Sequence, residues 1–503
     1  MPFNSIFAWM MKKRIHQIDL FRKYPLDVQD ELFQHLLASG ATTEWGLKYH
    51  IAEIKNYEQF KRNVPLSNYE EIKPFIDRLM AGEKNLLWPG ETKWFAKSSG
   101  TTADRSKFIP VTKESLFECH YKAGKDLLAL YYENFPNRKI YKGKHLNVSG
   151  SAQINPLRID SYLGDLSAII VDNLPWWAEI RRTPSKEITL MMDWEHKIEK
   201  IVNETIHEDV YILAGVPSWT YVLLNRILES TGKSDIRDVW PNLELFLHGG
   251  VNFKPYRNSF DKIISPVGMN YIESYNASEG FFGIQDVVDS DELLLMLDHG
   301  IFYEFIPMNV FQGTSSQTII SLADVELNKN YALVISTNGG LWRYIIGDTI
   351  QFSSKSPYRF RVTGRTKSYI NVFGEELIVE NAENAIANVC QLTKTAVKEF
   401  TAGPVFLKGK EKGCHEWLIE FFIAPDNPEE FAKLLDWELR KLNSDYDAKR
   451  AHDLLLENLH LKVAPAGTFD SWLKSKGKLG GQHKVPRLSN DRTILEQIYL
   501  FIK

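Results

Sequence analysis

The segment AKSSGTTADRSKFIPVT, residues 96–112, follows a short apolar run and changes at once to small, hydroxyl-bearing residues. Lys107 comes shortly after a loop of such residues, which are Ser98, Ser99, Gly100, Thr101 and Thr102. Backbone N–H groups, hydroxyls and one cation suit a bound anion, and phosphate is the natural ligand. The spacing is not that of a Walker A loop, which needs other glycines and a Gly-Lys-Ser/Thr ending. Taken alone, the segment fits an ordinary Ser/Thr-rich turn equally well.

Strand-like apolar runs alternate with stretches of helical periodicity on the C-terminal side of this segment. The runs are HLNVSGS (145–151), DVYILAGV (209–216), LELFLHGG (243–250) and MNYIESYNAS (269–278). This alternation predicts α/β architecture. Because open α/β sheets bind ligands beyond the carboxyl ends of their strands, we expect the site on the loops that follow these runs.

The pattern changes to antiparallel-looking strands from Tyr331, which predicts a β-rich subdomain. After Gly364 a strand, EWLIEFFIA, and a helix from about Pro428 predict a second, α+β unit. Asn427 is expected to cap that helix, whose buried stripe would be Phe431, Leu434, Leu435 and Leu439. A single core rarely exceeds roughly 250–300 residues. We therefore expect residues 1–364 to form a nucleotide- and acyl-substrate-binding domain and residues 365–503 a smaller, mobile lid.

Composition excludes several classes of function. Apolar residues make up 44% and charged residues 25% of the 503 residues, and the net charge is −4, so no basic surface for nucleic acid is expected. Cys119, Cys390 and Cys414 form no C-x-x-C pair, which argues against a disulfide framework and a cysteine-ligated zinc site. No window resembles a signal peptide or a membrane span. A reducing, cytoplasmic location is expected.

A second segment, ESYNASEGFFGIQ, spans residues 273–285. In it an apolar strand ends in polar and acidic residues, which are Tyr275, Asn276, Ala277, Ser278 and Glu279. Mg²⁺ in proteins is commonly held by one or two carboxylates together with waters and substrate phosphates. Glu279 is therefore the candidate metal ligand, although a glutamate in a glycine-flanked turn is more often a solvated or capping residue.

Two further segments suit a nucleoside. In LWRYIIGDTIQF, residues 341–352, Gly347 and Asp348 interrupt two strand-like runs, and an acidic residue at such a turn can accept hydrogen bonds from both ribose hydroxyls. The alternative is an ordinary Gly-Asp hairpin turn. In LFLHGGVNFKPY, residues 245–256, Gly249 and Gly250 would let the backbone lie flat against a purine.

The segments SSGTT-x4-K, Y-N-A-S-E-G and R-Y-x2-G-D, in this order, resemble the three ATP/AMP-binding motifs of the GH3 family of acyl acid–amido synthetases. This family lies within the adenylate-forming superfamily. GRTKSYINVFGEEL, residues 364–377, resembles the hinge of the superfamily, with Arg365 matching its ribose-contacting arginine. GGQHKVPRL, residues 480–488, resembles the GH3 segment that brings a lysine to the active site, here Lys484.

The resemblance implies ATP and Mg²⁺ as cofactors and a two-step reaction. A carboxylic acid would form an acyl-AMP with release of pyrophosphate, and an amine, such as an amino acid, would then take the acyl group. Glu279, Lys107 and Lys484 would act on the phosphates, and the other residues would bind the nucleotide. Two alternatives remain open: an acyl-CoA ligase, against which Ala103 and the HKVPR segment argue, and a nucleotide-binding protein without turnover.

Overall fold

The computed structural model describes residues 2–98, 107–136, 138, 140–148, 154–191, 193–250, 253–366, 369–370, 372–375, 377–406, 413–451, 456–475 and 485–502. The chain divides into two compact units. The first contains most of the residues up to Thr366, and the second contains the residues from 367 onward.

The first unit mixes helices and strands throughout. Its strands are β1 (Trp94–Ser98), β2 (Lys107–Val111), β3 (Lys144–Val148), β4 (Ile154–Arg158), β5 (Ser161–Gly164), β6 (Arg182–Thr183), β7 (Val210–Gly215), β8 (Leu245–Gly249), β9 (Asn270–Ala277), β10 (Gly280–Ile284), β11 (Leu293–Leu295), β12 (Ile301–Pro307), β13 (Ile320–Ser321), β14 (Asn330–Thr337), β15 (Tyr344–Lys355) and β16 (Tyr358–Arg365).

The helices that precede Thr366 in the chain come mainly before the antiparallel strands. They are α1 (Pro2–Lys23), α2 (Pro25–Gly40), α3 (Glu44–Lys48), α4 (Tyr57–Asn63), α5 (Tyr69–Ala81), α6 (Tyr121–Asn134), α7 (Leu166–Asp172), α8 (Trp176–Glu179), α9 (Lys186–Thr189), α10 (Trp194–Thr205), α11 (Pro217–Thr231) and α12 (Lys254–Ile263).

One twelve-stranded sheet organises the first unit. Its order is β13-β12-β14-β15-β16-β11-β10-β9-β8-β7-β3-β6. Strands β6, β3, β7, β8 and β9 pair in parallel, and their neighbours from β9 to β13 pair antiparallel. The predicted parallel runs are therefore real strands. The predicted β-rich region continues the same sheet and begins at Gly280, well before Tyr331, because the β9–β10 hairpin reverses the strand direction there.

A second sheet, of order β2-β1-β5-β4, carries the first predicted segment. Strands β1 and β2 are antiparallel, and Ser98 pairs with Lys107 at the end where the chain passes from β1 to β2. The core of this unit is rich in aromatic rings: Phe33 lies 5.1 Å from Phe60 and 4.7 Å from Phe302, between ring centroids. Such packing buries large apolar areas and favours one arrangement of the helices on the sheet.

The second unit is a small α+β structure, as predicted. Its elements are β17 (Tyr369–Ile370), β18 (Leu377–Ile378), α13 (Val379–Thr393), β19 (Ala396–Phe406), β20 (Gly413–Ile423), α14 (Pro428–Leu442), α15 (Ser444–Arg450), β21 (His460–Ala464), α16 (Thr468–Ser475) and α17 (Thr493–Tyr499). Asn427 caps α14 by accepting from the N–H groups of Glu429 and Glu430, as expected. Of the predicted stripe, Phe431, Leu435 and Leu439 are buried, whereas Leu434 is half-buried.

The cysteines form no disulfide: Cys119 and Cys414 are buried thiols, and Cys390 is partly exposed. Among the described residues, no helix combines the length and the apolar character that crossing a membrane requires.

Candidate active site

The carboxyl ends of three neighbouring parallel strands lie along one edge of the large sheet. Gly215 of β7 pairs with His248 of β8, and Gly249 pairs with Ser274 of β9. Strand β9 then continues to Ala277. Ligands of α/β sheets bind at this edge. The structure therefore brings the glycine pair and the second predicted segment to neighbouring positions where a ligand is expected.

Close contact between β8 and β9 explains the first glycine of the pair. A Cβ atom on Gly249 would lie 2.4 Å from the carbonyl oxygen of Ser274. The hydroxyl of Ser274 also donates to the carbonyl of His248, at 3.2 Å. Gly250 has a φ of +81°, a left-handed conformation that glycine adopts without strain. Backbone, rather than side chain, is thus presented at the end of β8.

Glu279 lies in the turn of a tight β-hairpin. Ala277 pairs with Gly280, so that Ser278 and Glu279 form the two-residue connection between β9 and β10. Tyr275, Asn276 and Ala277 belong to the strand itself. A partly exposed carboxylate is thereby held at the carboxyl edge of the sheet. Mg²⁺ accepts such a ligand, because it keeps most of its shell for waters and phosphate oxygens.

The prediction that Gly347 and Asp348 interrupt two strands is wrong, because β15 runs through both residues. Its pairing with β14 shifts instead: Ala332 faces Thr349, whereas Val334 faces Ile345. The extra residues of β15 form a bulge, in which Gly347 has a φ of +97°. The carbonyl of Gly347 accepts from the N–H of Thr366, at 2.7 Å.

One hydrogen bond joins the second and third predicted segments. The hydroxyl of Tyr275 donates to Oδ2 of Asp348, at 2.5 Å. The Tyr275 ring packs against Phe282 and Phe360, with centroid distances of 4.9 and 6.1 Å. Asp348 is only 7% exposed, so its carboxylate is held in a defined orientation. Arg365, whose side chain lies outside the described residues, pairs with Asp348 through the backbone of β16.

The first predicted segment is described only at its two ends. Ser99, Gly100, Thr101 and Thr102 lie outside the described residues, as does the side chain of Ser98. Lys107 is the first residue of β2, and its ammonium nitrogen lies 5.7 Å from the centre of the Tyr69 ring. The Tyr69 hydroxyl accepts from the N–H of Phe108, at 2.9 Å, and burial raises the pKa of Tyr69. Lys484 also lies outside the described residues.

The chain matches three domains of one family: the GH3 family N-terminal domain over residues 14–269, the central domain over 294–365 and the C-terminal domain over 380–493. It belongs to the GH3 family. Two relatives from Arabidopsis thaliana are "Indole-3-acetic acid-amido synthetase GH3.3", 24% identical over 93% of this chain and 90% of the relative, and "4-substituted benzoates-glutamate ligase GH3.12", 23% identical over 92% of each.

Solved structures confirm the predicted fold class. The GH3 chain superposes on "AtGH3.15 acyl acid amido synthetase in complex with 2,4-DB" with a TM-score of 0.63, at 17% identity over 98% of this chain and 96% of the other. A 2-hydroxyisobutyryl-CoA ligase in complex with 2-HIB-AMP and CoA gives a TM-score of 0.55, at 11% identity over 94% and 91%. The fold is therefore that of adenylate-forming enzymes, with a large N-terminal and a smaller C-terminal domain.

Sequence reasoning missed a buried ion pair at the start of β15 in this GH3 chain. Nη2 of Arg343 lies 2.8 Å from a carboxylate oxygen of Glu304, which also accepts from the hydroxyl of Tyr57, at 3.0 Å. Arg343 also donates to the carbonyl of Val64, at 2.7 Å. A signal existed, because Glu304 is the one acidic residue of the apolar run IFYEFIP, residues 301–307. A charge in such a run needs a buried partner.

Proposed function

We propose that this GH3 chain is an ATP-dependent ligase that forms C–N bonds. A carboxylate oxygen would attack the α-phosphorus of ATP, forming acyl-AMP and releasing pyrophosphate. An amine, in our proposal that of an amino acid, would then attack the acyl carbon, forming an amide and releasing AMP. The hydrogen bond between Tyr275 and Asp348 carries this proposal, because it joins two of the nucleotide-binding segments of the family.

The nucleoside would be held by Asp348 and by the glycine turn. A carboxylate can accept from both ribose hydroxyls, and Tyr275 fixes its orientation. The bare backbone of Gly249 and Gly250 suits the flat face of a purine. Arg365 pairs with Asp348 between β15 and β16, and from this backbone position it would reach the same ribose. These groups would orient the nucleotide, so that part of the rate comes from positioning.

The phosphates would be bound by groups that offset their charge. The hydroxyls and N–H groups of residues 98–102, the ammonium of Lys107 and that of Lys484 would stabilise the charge that develops in the transition state. Glu279 would hold Mg²⁺, which when bound neutralises phosphate oxygens and favours departure of pyrophosphate. The partly exposed position of its carboxylate on a short turn fits such a ligand.

The relatives of this chain favour an amide as its product. The relatives named above are an amido synthetase and a glutamate ligase, and both match nearly the whole chain. The acid of GH3.3 is indole-3-acetic acid and that of GH3.12 is a 4-substituted benzoate, which supports a carboxylic acid as the first substrate here. We further propose a cytoplasmic location, where ATP is available and the three thiols stay reduced.

Pyrophosphate release tests the proposal. The purified chain would be given ATP, Mg²⁺ and a panel of aryl and alkyl carboxylic acids, first alone and then with amino acids or coenzyme A. Acid-dependent release, followed by an amide whose formation needs an amino acid, would support the synthetase. A thioester formed with coenzyme A would instead show that the chain is an acyl-CoA ligase. Measurable ATP binding without release for any acid would refute catalysis with these substrates.

A further inference from the structure

A β-bulge follows directly after the turn that carries Glu279. In the β9–β10 hairpin Phe281 pairs with Asn276, but Gly283 pairs with Tyr275, so that β10 advances by one residue more than β9. Bulges interrupt the regular ladder and leave local backbone groups to find other partners. The residue left without a partner on β9 is Phe282, so Phe281 lies between the bulge and the turn.

Two side chains hold the backbone of Phe281 on both sides. Its N–H donates to the sulfur of Cys119, at 3.2 Å. Its carbonyl oxygen lies 3.2 Å from Nδ1 of His299. Both side chains are buried, and burial raises the pKa of Cys119 to about 12, so this group stays a thiol whose sulfur accepts. Cys119 lies in the π-helical turn Ser115–His120 that leads into α6.

His299 is itself fixed from its other ring nitrogen. Nε2 lies 2.7 Å from Oδ2 of Asp126, and both side chains are fully buried. A carbonyl and a carboxylate can only accept, so each ring nitrogen faces an acceptor and the ring cannot rotate without losing a hydrogen bond. Asp126 is bound in turn by Arg14 of α1, through contacts of 2.5 and 2.7 Å.

The charges around His299 are balanced by protein groups. Arg14 also contacts Asp298, at 2.8 and 2.9 Å, and the ammonium of Lys122 lies 3.1 Å from the same carboxylate. Burial alone would raise the pKa of Asp298, but the hydrogen bonds and charge of Arg14 lower it to about 2. Although Asp126, Asp298 and His299 lie close enough to hold a metal ion, their carboxylates already have cationic partners. The cluster therefore fits a support, not a metal site.

We propose that His299 and Cys119 are positioning residues that hold the Ser278–Glu279 turn in place through the backbone of Phe281. The inference rests on the proposed role of Glu279 as the Mg²⁺ ligand. Mg²⁺ demands nearly ideal octahedral geometry, so a small displacement of one carboxylate weakens its binding. The buried contacts to the N–H and the carbonyl of Phe281 fix the backbone two residues after Glu279 and so restrain the turn.

The test compares His299→Ala with a matched control, Gln29→Ala. Gln29 is buried and supports the chain on either side of His299: it donates to the carbonyls of Leu297 and Ile301, at 2.8 and 3.0 Å, and accepts from the N–H of Tyr303. None of these contacts involves Phe281. Both variants remove buried hydrogen bonds from the same region. They differ in whether the hairpin loses its support.

The measurement is the Mg²⁺ concentration that gives half-maximal, acid-dependent pyrophosphate release. Residues that orient a metal ligand typically affect metal affinity by about 10- to 100-fold, so we expect His299→Ala to raise this concentration at least about 10-fold. We expect Gln29→Ala to change it less than about twofold, since the two sites do not share the hairpin. In a Glu279→Gln background, His299→Ala should add little, because both changes act on the same ligand.

Equal shifts in His299→Ala and Gln29→Ala, or a full additional shift in the Glu279→Gln background, would overturn the inference and leave the proposed function intact. If Glu279→Gln leaves the Mg²⁺ requirement unchanged, both the assignment of Glu279 as the metal ligand and the proposed support of its turn are wrong. Should wild type release no pyrophosphate, the proposed function fails, and the Mg²⁺ dependence of ATP binding, measured by calorimetry, decides the inference instead. If His299→Ala does not fold, Cys119→Ala replaces it, with Cys119→Ser expected to restore the wild-type Mg²⁺ requirement.

Discussion

Substitution of Asp348 by Asn should sharply reduce the ability of the protein to distinguish ATP from 3′-deoxy-ATP. Asp348 is nearly buried, and Tyr275 donates to Oδ2 at 2.5 Å, so the carboxylate is oriented before the nucleotide arrives. Hydrogen bonds to a charged group contribute about 1.5–3 kcal/mol, and neutral ones about 0.5–1.5 kcal/mol. A lost ribose hydroxyl should therefore weaken binding roughly 10- to 150-fold in wild type, at about 1.4 kcal/mol per tenfold.

In Asp348→Asn the same deletion should weaken binding only about 2- to 10-fold, because the acceptor is no longer charged. Calorimetric titration of both nucleotides into both proteins gives the four affinities. The control is Asp286→Asn, which changes another buried carboxylate, two residues after β10, that Arg359 contacts at 2.8 Å through two nitrogens. This control should bind both nucleotides as wild type does. Equal discrimination in wild type and Asp348→Asn would refute the ribose contact, however much the overall affinity fell.

Three further predictions concern other parts of the chain. Lys484→Ala should lower pyrophosphate release far more than ATP affinity, and an equal loss of both would contradict the predicted role. Gly249→Ala places a methyl 2.4 Å from the Ser274 carbonyl and should cost about 1–3 kcal/mol of unfolding free energy in urea denaturation, whereas Gly124→Ala, which meets no atom within 4 Å, should cost nothing. Burial lowers the pKa of Lys197 from 10.5 to about 8. The unfolded chain therefore binds more protons between these values, so the free energy of unfolding should rise with pH from 8 to 10.5, and Lys197→Met should remove that rise.

Much of the fold could be predicted because the parallel strands are encoded locally. The four apolar runs singled out between residues 145 and 278 became strands of the large sheet, which are β3, β7, β8 and β9. The helix α14 could likewise be predicted from its own cap, Asn427, and from a proline at its start. What the sequence did not predict was that parallel and antiparallel strands share one sheet. Strand order is set by pairing between distant segments, and no local pattern records it.

The candidate site, too, could be predicted from the sequence only in part. Glu279 and Gly249 could be singled out because strand ends are where α/β sheets bind ligands, and both lie at such ends. Asp348 was singled out for the wrong structural reason. A glycine followed by an aspartate predicts a turn, yet here the pair sits in a bulge of a continuous strand, because β14 and β16 pair on both sides of it. Its proposed role in binding ribose stays a prediction, whereas its backbone conformation could be known only from the strands that pair with β15.

The support of the hairpin could not have been predicted at all, and the reason is physical. Cys119 lies 162 positions from Phe281, and Asp126 lies 173 positions from His299. Taken alone, none of these side chains stands out in the sequence. They act together only because the fold brings them to the N–H and the carbonyl of Phe281, and because buried polar groups must find partners. A candidate ligand-binding residue at a strand end can be recognised from the sequence around it. A residue that holds such a residue in place can be recognised only from the folded structure.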